Sequence, residues 1–243
     1  MHTVDAKEIE NFAKDSAHWW DENGPFRPLH RLNPVRLHYI KEQVCARYGR
    51  NFMGLKPFKG LSVLDTGCGG GLVCEPMARL GADVTGIDAD ANAIAVAAAH
   101  AKQSGLQIDY RATSTDGLIA SKKKFDVVLA LEIVEHVADV DQFVTHCASL
   151  CKPNGLIVFS TLNRTPKSFA LGKIAAEYVL GWVPKGTHDW KKFLKPSELS
   201  RAVRSAGADI QNIEGMVFDP LILEFKRSTS DIDVNYFLSA VKV

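Results

Sequence analysis

The stretch that decides the fold is residues 61–72, which read LSVLDTGCGGGL. A short apolar run ends in Asp65 and opens into a loop in which Gly67, Gly69 and two further glycines stand within five residues. An apolar run of this length bounded by glycine indicates a buried strand, and the segment up to Leu80 indicates a helix. The stretch therefore predicts a strand, a glycine turn and a helix. Because glycine adopts positive φ and carries no Cβ atom, a flat or extended ligand can lie against such a turn.

Two acidic residues near the turn indicate which class of ligand it binds. A dinucleotide favours Gly-x-Gly-x-x-Gly and places its pyrophosphate at the helix N-terminus. Here Leu72 stands at the third glycine position, and Asp65 would repel the anion but suits a ligand with a cationic end. Asp88 closes the next predicted strand about twenty residues on, where a carboxylate holds ribose hydroxyls. S-adenosylmethionine fits both acids. The alternative is that the glycines serve only a tight turn and Asp88 only caps the following helix.

Composition excludes several classes of protein. The chain has 243 residues, 46% of them hydrophobic, enough for one domain with an appendage. No run of about 18 apolar residues is present, and the start of the chain is polar, so neither a membrane-spanning helix nor a signal peptide is expected. The net charge of +1 does not indicate the basic surface that a nucleic-acid-binding protein needs. Five cysteines without a Cys-x-x-Cys pair indicate a reducing compartment, the cytoplasm.

Residues 1–52 precede the first core strand and are predicted to form a helical extension. One of its helices is expected to begin with Asn33 as the cap and Pro34 as the first helical residue, and to end at Gly49. Arg36, near the start of that helix, is placed to reach a ligand carboxylate. Aromatic and basic side chains are dense here: Trp19, Trp20, Phe26, His30 and Arg31. We interpret the extension as a lid over the ligand; the alternative is a helical pair packed for stability.

Residues 53–243 alternate strand and helix, which predicts a doubly wound α/β domain. Ligands of such sheets bind outside the carboxyl ends of the strands. Asp65, Asp88, Ser114 and the segment 131–136 all fall on that edge. A connection of unusual length, about residues 163–195, follows the fifth strand and is predicted to be a helical insertion. Its apolar run 169–182 with flanking lysines suits an amphipathic helix on an anionic membrane surface; a substrate lid or a subunit contact is the alternative.

The segment after the fourth strand reads LEIVEHVAD. If a helix begins near Glu132, then Glu132, Glu135 and His136 share one of its faces. Two carboxylates and an imidazole can hold a hard divalent cation such as magnesium. Without a metal, His136 with Glu135 nearby is the candidate general base. The alternative is that Glu132 orients the loop and His136 only packs.

A family resemblance rests on several motifs: HRLNPVRL, VLDTGCGGG, TGID, LEIVEHV, FSTLNRTPKS, VPKGTHDWKKF, KPSEL and DVNYFLSA. Together they resemble the ubiquinone-biosynthesis O-methyltransferases of the class I S-adenosylmethionine-dependent fold. The resemblance implies a Rossmann-like sheet of seven strands, the last two antiparallel, near residues 210–218 and 234–243. It places the cofactor contacts on Arg36, Gly67, Asp88 and Leu131, and supports a divalent metal at the acid-acid-histidine group.

The same resemblance implies a substrate and a setting. The expected acceptors are polyprenyl phenols and catechols, 2-polyprenyl-6-hydroxyphenol and 3-demethylubiquinol. Because such acceptors reside in the bilayer, the enzyme is expected to be a cytoplasmic protein attached peripherally to the membrane, with other ubiquinone-biosynthesis proteins as partners. Two other functions stay open at this point, a methyltransferase for a small soluble phenol and a membrane-attached assembly component without turnover.

Overall fold

One mixed sheet organises the chain. The computed structural model describes residues 15–170, 189–219, 221–222 and 224–243. The strands are β1 (Ser62–Thr66), β2 (Asp83–Asp88), β3 (Asp109–Ala112), β4 (Phe125–Leu131), β5 (Cys151–Leu162), β6 (Ala208–Asp219), β7 (Glu224–Ser228) and β8 (Asn235–Lys242). They lie in the order β3-β2-β1-β4-β5-β8-β6-β7. The first five in this order are parallel, and β8, β6 and β7 add antiparallel pairs. The carboxyl ends of β1, β2, β4 and β5 therefore share one edge, which we call the carboxyl edge.

Helices cover both faces of this sheet. They are α1 (Arg27–Tyr48), α2 (Cys74–Arg79), α3 (Ala91–Gln103), α4 (Thr115–Ile119), α5 (Val140–Leu150), the single turn α6 (Pro166–Ser168) and α7 (Pro196–Ser205). Short 3-10 turns occupy Ser16–His18, Val134–His136 and Trp190–Lys192. No described helix is both long enough and apolar enough to cross a membrane.

Each face of the sheet has its own hydrophobic core because neighbouring residues of a strand point to opposite sides. In β4, Val128 and Ala130 join the core beneath α5 and α7. Val127 and Leu129 join the opposite core beneath α1 and α2. A strand covered on both faces is mostly apolar, which explains the nearly continuous apolar sequence of β4. The doubly wound α/β prediction is confirmed.

Two details of the fold differ from the sequence prediction. The sheet has eight strands because Glu224–Ser228 adds an edge strand to β6; the antiparallel pair of β6 and β8 was predicted. Helix α1 begins at Arg27, so Pro34 lies inside the helix and Asn33 is not its cap. Asn33 instead donates from Nδ2 to the Leu72 carbonyl, 2.9 Å away, and ties α1 to the glycine turn. Packing of α1 on the sheet outweighs the interior proline, which costs about 3 kcal/mol in an isolated helix.

Candidate active site

The glycine turn is fastened to the end of β2 by its own backbone. Gly67 and Gly69 have φ values of 71° and 50°, which side chains with a Cβ atom rarely adopt. The amides of Gly67 and Cys68 both donate to the Ile87 carbonyl. The Gly69 amide donates to Asp88 Oδ2 at 2.9 Å. The turn and the second predicted acid therefore form one unit at the carboxyl edge.

Asp88 is held in place as a hydrogen-bond acceptor. Its Oδ1 accepts from the Asp90 amide at 2.8 Å, while Oδ2 accepts from Gly69. Burial raises the pKa of Asp88, and the backbone amides of Asp90 and Gly69 lower it. A fixed carboxylate with lone pairs to spare suits a pair of ribose hydroxyls.

Asp65 lies deeper, at the end of β1. It is buried, and Cys74 donates its thiol to Oδ2 at 3.3 Å. Burial raises the pKa of Asp65 to about 7, against the lowering effects of the Cys74 thiol and of nearby Arg36. A carboxyl group with this pKa is poised to ionise when a cation arrives beside it.

Arg36 is a buried cation with unused donors. Its side chain is 5% exposed, and its Nη2 lies 3.5 Å from Glu132 Oε1, while Nε and Nη2 make no hydrogen bond among the described residues. Buried guanidinium N–H groups without acceptors are costly, so this geometry calls for a further anion. Arg36 and Asp65 together fit the carboxylate and the ammonium of an amino-acid moiety, as S-adenosylmethionine carries.

The N-terminal segment covers the glycine turn. The Trp19 indole is buried and stacks on Phe26, with ring centroids 3.8 Å apart. A Cβ atom on Gly69 or on Gly70 would lie 2.3 Å from Trp19. The absence of side chains at these two positions therefore admits the indole. The sequence predicts only a flat or extended ligand against this turn.

Further contacts fasten this segment to the core. Trp20 donates from Nε1 to the Gly70 carbonyl at 2.9 Å, and its ring stacks on His100 with centroids 3.5 Å apart. Ser16 donates to Asp90 Oδ2 at 2.5 Å. His30 Nε2 lies 2.8 Å from the Trp19 carbonyl. The segment is thus tied to the glycine turn and to α3.

Glu132 does not start a helix. Its φ is +51°, in the left-handed region, and its amide donates to the Ser160 carbonyl. Its Oε1 accepts from Ser160 Oγ at 2.8 Å, and its Oε2 lies 3.4 Å from Asn235 Nδ2. The predicted α-helical face of Glu132, Glu135 and His136 is therefore wrong, because only the 3-10 turn Val134–His136 follows and α5 begins at Val140.

Glu135 is a buried acid on the opposite side of β5. Its Oε2 accepts from Thr161 Oγ1 at 2.8 Å. Burial raises the pKa of Glu135 and the neighbouring Glu132 carboxylate raises it further, whereas His136 lowers it. His136 itself is half-buried. An acid and an imidazole that interact at the carboxyl edge can act as a base with a supporting carboxyl group.

The predicted magnesium ligands are not assembled in this arrangement. Among the described residues, no three His, Cys, Asp or Glu side chains converge as a metal site requires. Neighbouring β5 residues point to opposite faces, and the carboxyl groups of Glu132 and Glu135 are each bound to a different one, Ser160 and Thr161. A metal on these groups would need Glu132 to leave Ser160 and Arg36.

The two remaining predicted residues also lie at the carboxyl edge. Leu131 is the last residue of β4 and is paired with Ser160. Ser114 follows β3 and stands at the N-cap of α4, where its Oγ lies 3.4 Å from Asp116 Oδ2.

Four polar residues of the site were missed by the sequence argument: Cys74, Ser160, Thr161 and Asn235. Ser160 and Thr161 follow the apolar run 156–159 near the end of β5, and this change from apolar to polar residues was the available signal. Asn235 approaches from β8, about a hundred residues after Glu132, so no local pattern could have pointed to it.

Comparison with solved structures defines the class. Magnesium protoporphyrin IX methyltransferase from Synechocystis, solved with bound SAH, superposes with a TM-score of 0.66 at 19% identity, over 98% of this chain and 97% of that chain. The plantazolicin methyltransferase BamL, also with SAH, gives 0.66 at 15% identity, over 97% and 98% of the chains. A family model described as a methyltransferase domain matches residues 36–213. The fold is that of a class I S-adenosylmethionine-dependent methyltransferase.

Sequence relatives narrow this class. The ubiquinone biosynthesis O-methyltransferase of Dinoroseobacter shibae is 52% identical over 240 residues, covering 99% of this chain and 97% of the relative. The Bartonella bacilliformis protein of the same name is 53% identical over 236 residues, covering 97% and 95%. The chain belongs to the ubiquinone biosynthesis O-methyltransferase family. It is an S-adenosylmethionine-dependent O-methyltransferase, and the family resemblance drawn from the sequence is confirmed.

Proposed function

We propose that the enzyme methylates a phenol oxygen of polyprenylated acceptors, 2-polyprenyl-6-hydroxyphenol and 3-demethylubiquinol. Relatives named for ubiquinone biosynthesis support this choice of acceptor. The observation that carries the site assignment is the cluster at the carboxyl edge, where buried Arg36 and Asp65 lie on one side and Glu135 and His136 on the other.

The cofactor-binding residues are assigned by charge. Arg36 holds the carboxylate of the methionine moiety, Asp65 holds its ammonium, and Asp88 holds the ribose hydroxyls. In this proposal the backbone at Gly67, Gly69 and Leu131 contacts the cofactor, and Ser114 contacts it as well. Bound S-adenosylmethionine supplies an electrophilic methyl group, and every other contribution comes from the chain.

His136 is the proposed base for the acceptor hydroxyl. A phenol has a pKa near 10 and is mostly protonated at neutral pH, so its proton has to be removed before or during transfer. Glu135 supports the proton on His136 because each of the two charges stabilises the other. Thr161 fixes the Glu135 carboxyl group through its hydroxyl. Glu132 serves as a positioning residue that orients Arg36.

The extension 1–52 acts as a lid over residues 53–243 in this proposal. The contacts of Trp19 and Trp20 with the glycine turn support it. A closed lid excludes water, which favours a reaction in which a phenolate and a sulfonium cancel their charges. Cofactor exchange then requires the segment Ser16–Phe26 to leave Gly70 and Asp90.

We place the enzyme in the cytoplasm, peripherally on the membrane, because its proposed acceptors are lipids. The insertion 163–195 is assigned to an anionic membrane surface. The part of it at 171–188 lies outside the described residues. Other ubiquinone-biosynthesis proteins are proposed partners at the same surface.

A single assay tests the function. A demethylubiquinol with a prenyl tail is incorporated into vesicles. Purified enzyme and S-adenosylmethionine are added, and the methylated product is measured. The matched acceptor is the same ring without its tail. We expect a higher kcat/KM with the tailed acceptor. Turnover confined to the tail-less ring would point to a soluble phenol, and cofactor binding without any transfer would point to an assembly component.

A further inference from the structure

The β6–β7 hairpin projects past the carboxyl edge. Asn235 is paired with Leu162, the last residue of β5, and also with Met216 of β6. Strand β6 runs in the same direction as β5, because both are antiparallel to β8. It continues for three residues beyond Met216 to Asp219, about 10 Å at the usual rise of a strand. Leu221 and Ile222, which we call the tip of the hairpin, therefore lie beyond the edge that carries the site.

Two apolar side chains are presented at this tip. Leu221 is 92% exposed and Ile222 is 61% exposed. Phe169, just after β5, is a third exposed apolar residue on this edge. Single exposed leucines are common on protein surfaces, but an adjacent pair at the end of a projecting hairpin beside the site is a specific feature.

The stem of the hairpin is braced. Phe218 and Phe225 face each other across the two strands, with ring centroids 5.2 Å apart. Lys226 pairs with Asp219 at 3.0 Å. Arg227 pairs with Glu214 on the neighbouring strand and with Glu42 on α1. These contacts hold the tip in place, and among the described residues most of the surface of both its side chains stays exposed.

We infer that the tip Leu221–Ile222 inserts into the acyl region of a lipid layer and sets the carboxyl edge against it. This inference rests on the proposed function, because a polyprenylated acceptor has to enter the site from lipid. The surface area of two side chains is far smaller than the roughly 800 Å² that each partner buries in a standard protein interface, so a stable protein partner is not favoured. The nearby charges Asp219, Lys226 and Arg227 are paired within the chain, so they offer little to a charged protein partner.

The chain contains a matched control. Leu55 is 93% exposed and Met53 is 82% exposed. Both lie in the loop between α1 and β1, which enters the sheet at the edge opposite to the carboxyl edge. Substitutions there change surface hydrophobicity by a similar amount without touching the tip.

The first test is vesicle sedimentation of the full chain at high salt, where lysine attraction is screened. Vesicles contain phosphatidylcholine and phosphatidylglycerol. We expect Leu221→Ser with Ile222→Ser to weaken partitioning about tenfold, and Leu55→Ser with Met53→Ser to leave it unchanged. Wild-type partitioning of the tip variant, or equal losses in both variants, would overturn the inference.

A labelling test reports insertion directly. All five native cysteines are buried, so an introduced surface cysteine can be labelled selectively with a polarity-sensitive fluorophore. Labelled Ile222→Cys should brighten with vesicles, and labelled Leu55→Cys should not. Brightening at 222 with protein concentration alone would assign the tip to a second copy of the chain and overturn the lipid inference. Neither measurement uses turnover, so failure of the proposed methyl transfer is scored separately.

Discussion

Arg36 Nη2 lies 3.5 Å from Glu132 Oε1, and both side chains are largely buried. The pair is incomplete, because Arg36 keeps two buried nitrogens without a hydrogen-bond acceptor in the described structure. Glu132 reaches it from a left-handed backbone position that Ser160 secures. We propose that Arg36 uses these nitrogens to bind the carboxylate of S-adenosylmethionine.

Arg36→Lys tests this relationship. Lysine keeps the charge but loses the planar fork that binds a carboxylate with two hydrogen bonds. We expect the Kd for S-adenosylmethionine to rise about tenfold or more by titration calorimetry. Arg47→Lys, near the far end of α1, is the control and should bind as the wild type. Equal affinities for all three proteins would remove Arg36 from the cofactor site.

Asp65 predicts that cofactor binding releases a proton. In the apo protein burial raises the pKa of Asp65 to about 7, and a bound ammonium would favour its ionised form. Calorimetry near neutral pH, in buffers of different ionisation enthalpy, should show release of a fraction of one proton. Asp65→Asn should bind weakly without this release. Binding enthalpies that do not depend on the buffer would contradict the assignment.

Asp65 also predicts how apo stability changes with pH. Its pKa is raised from an ordinary 3.8, so the native state retains a proton that the unfolded chain has lost. This contribution is present below pH 3.8 and is lost as the pH rises to about 7. We expect Asp65→Asn to flatten the decline of the free energy of unfolding over that window, by about 2 kcal/mol or more. Asp126→Asn is a control with the opposite sign, since Ser62 and Lys152 lower the pKa of Asp126.

A substitution of Trp20 tests whether the N-terminal segment acts as a lid. Trp20→Leu removes the hydrogen bond to the Gly70 carbonyl and the stack on His100. We expect S-adenosylhomocysteine to dissociate about tenfold faster in stopped-flow measurements, with a smaller change in the association rate. Trp190→Leu, whose indole donates to Thr165 elsewhere on the chain, is the control. Unchanged dissociation in Trp20→Leu would favour a purely structural extension.

His136 and Glu135 predict separable catalytic losses. His136→Ala should lower kcat about a hundredfold or more, with little change in cofactor Kd. Glu135→Gln keeps the hydrogen bond from Thr161 but removes the ionisable group, so a smaller loss and an altered pH profile of kcat are expected. An acceptor ring with a more acidic phenol should recover part of the His136→Ala loss. Turnover at the wild-type rate in both variants would leave the base unidentified.

Local sequence patterns determined many of the secondary-structure elements. The strand, glycine turn and helix around residues 61–80 follow from an apolar run and its glycines. Asp90 caps α3 as predicted, accepting from the Asn92 amide. The nearly continuous apolar run Phe125–Leu131, interrupted by Asp126, predicted the bounds of β4. These features depend on neighbours along the chain, so one sequence was enough to read them.

Other secondary-structure elements were decided only by the tertiary structure. Helix α1 runs through Pro34 because its packing on the sheet outweighs a local breaker. Strand β7 is polar because it lies at the sheet edge, so no apolar pattern marked it. These outcomes depend on residues far apart in sequence, whose contacts have no local signature.

The finer geometry of the site was decided in the same way. Glu132 takes a left-handed backbone because Ser160 and Asn235 hold it there. Trp19 lies on Gly69 and Gly70, so two glycines of the turn serve the lid. The sequence by itself determined which chemistry the carboxyl edge carries, because residue types at strand ends are a local property. The orientation of each side chain was left to the tertiary structure, because it depends on partners that only the folded chain brings near.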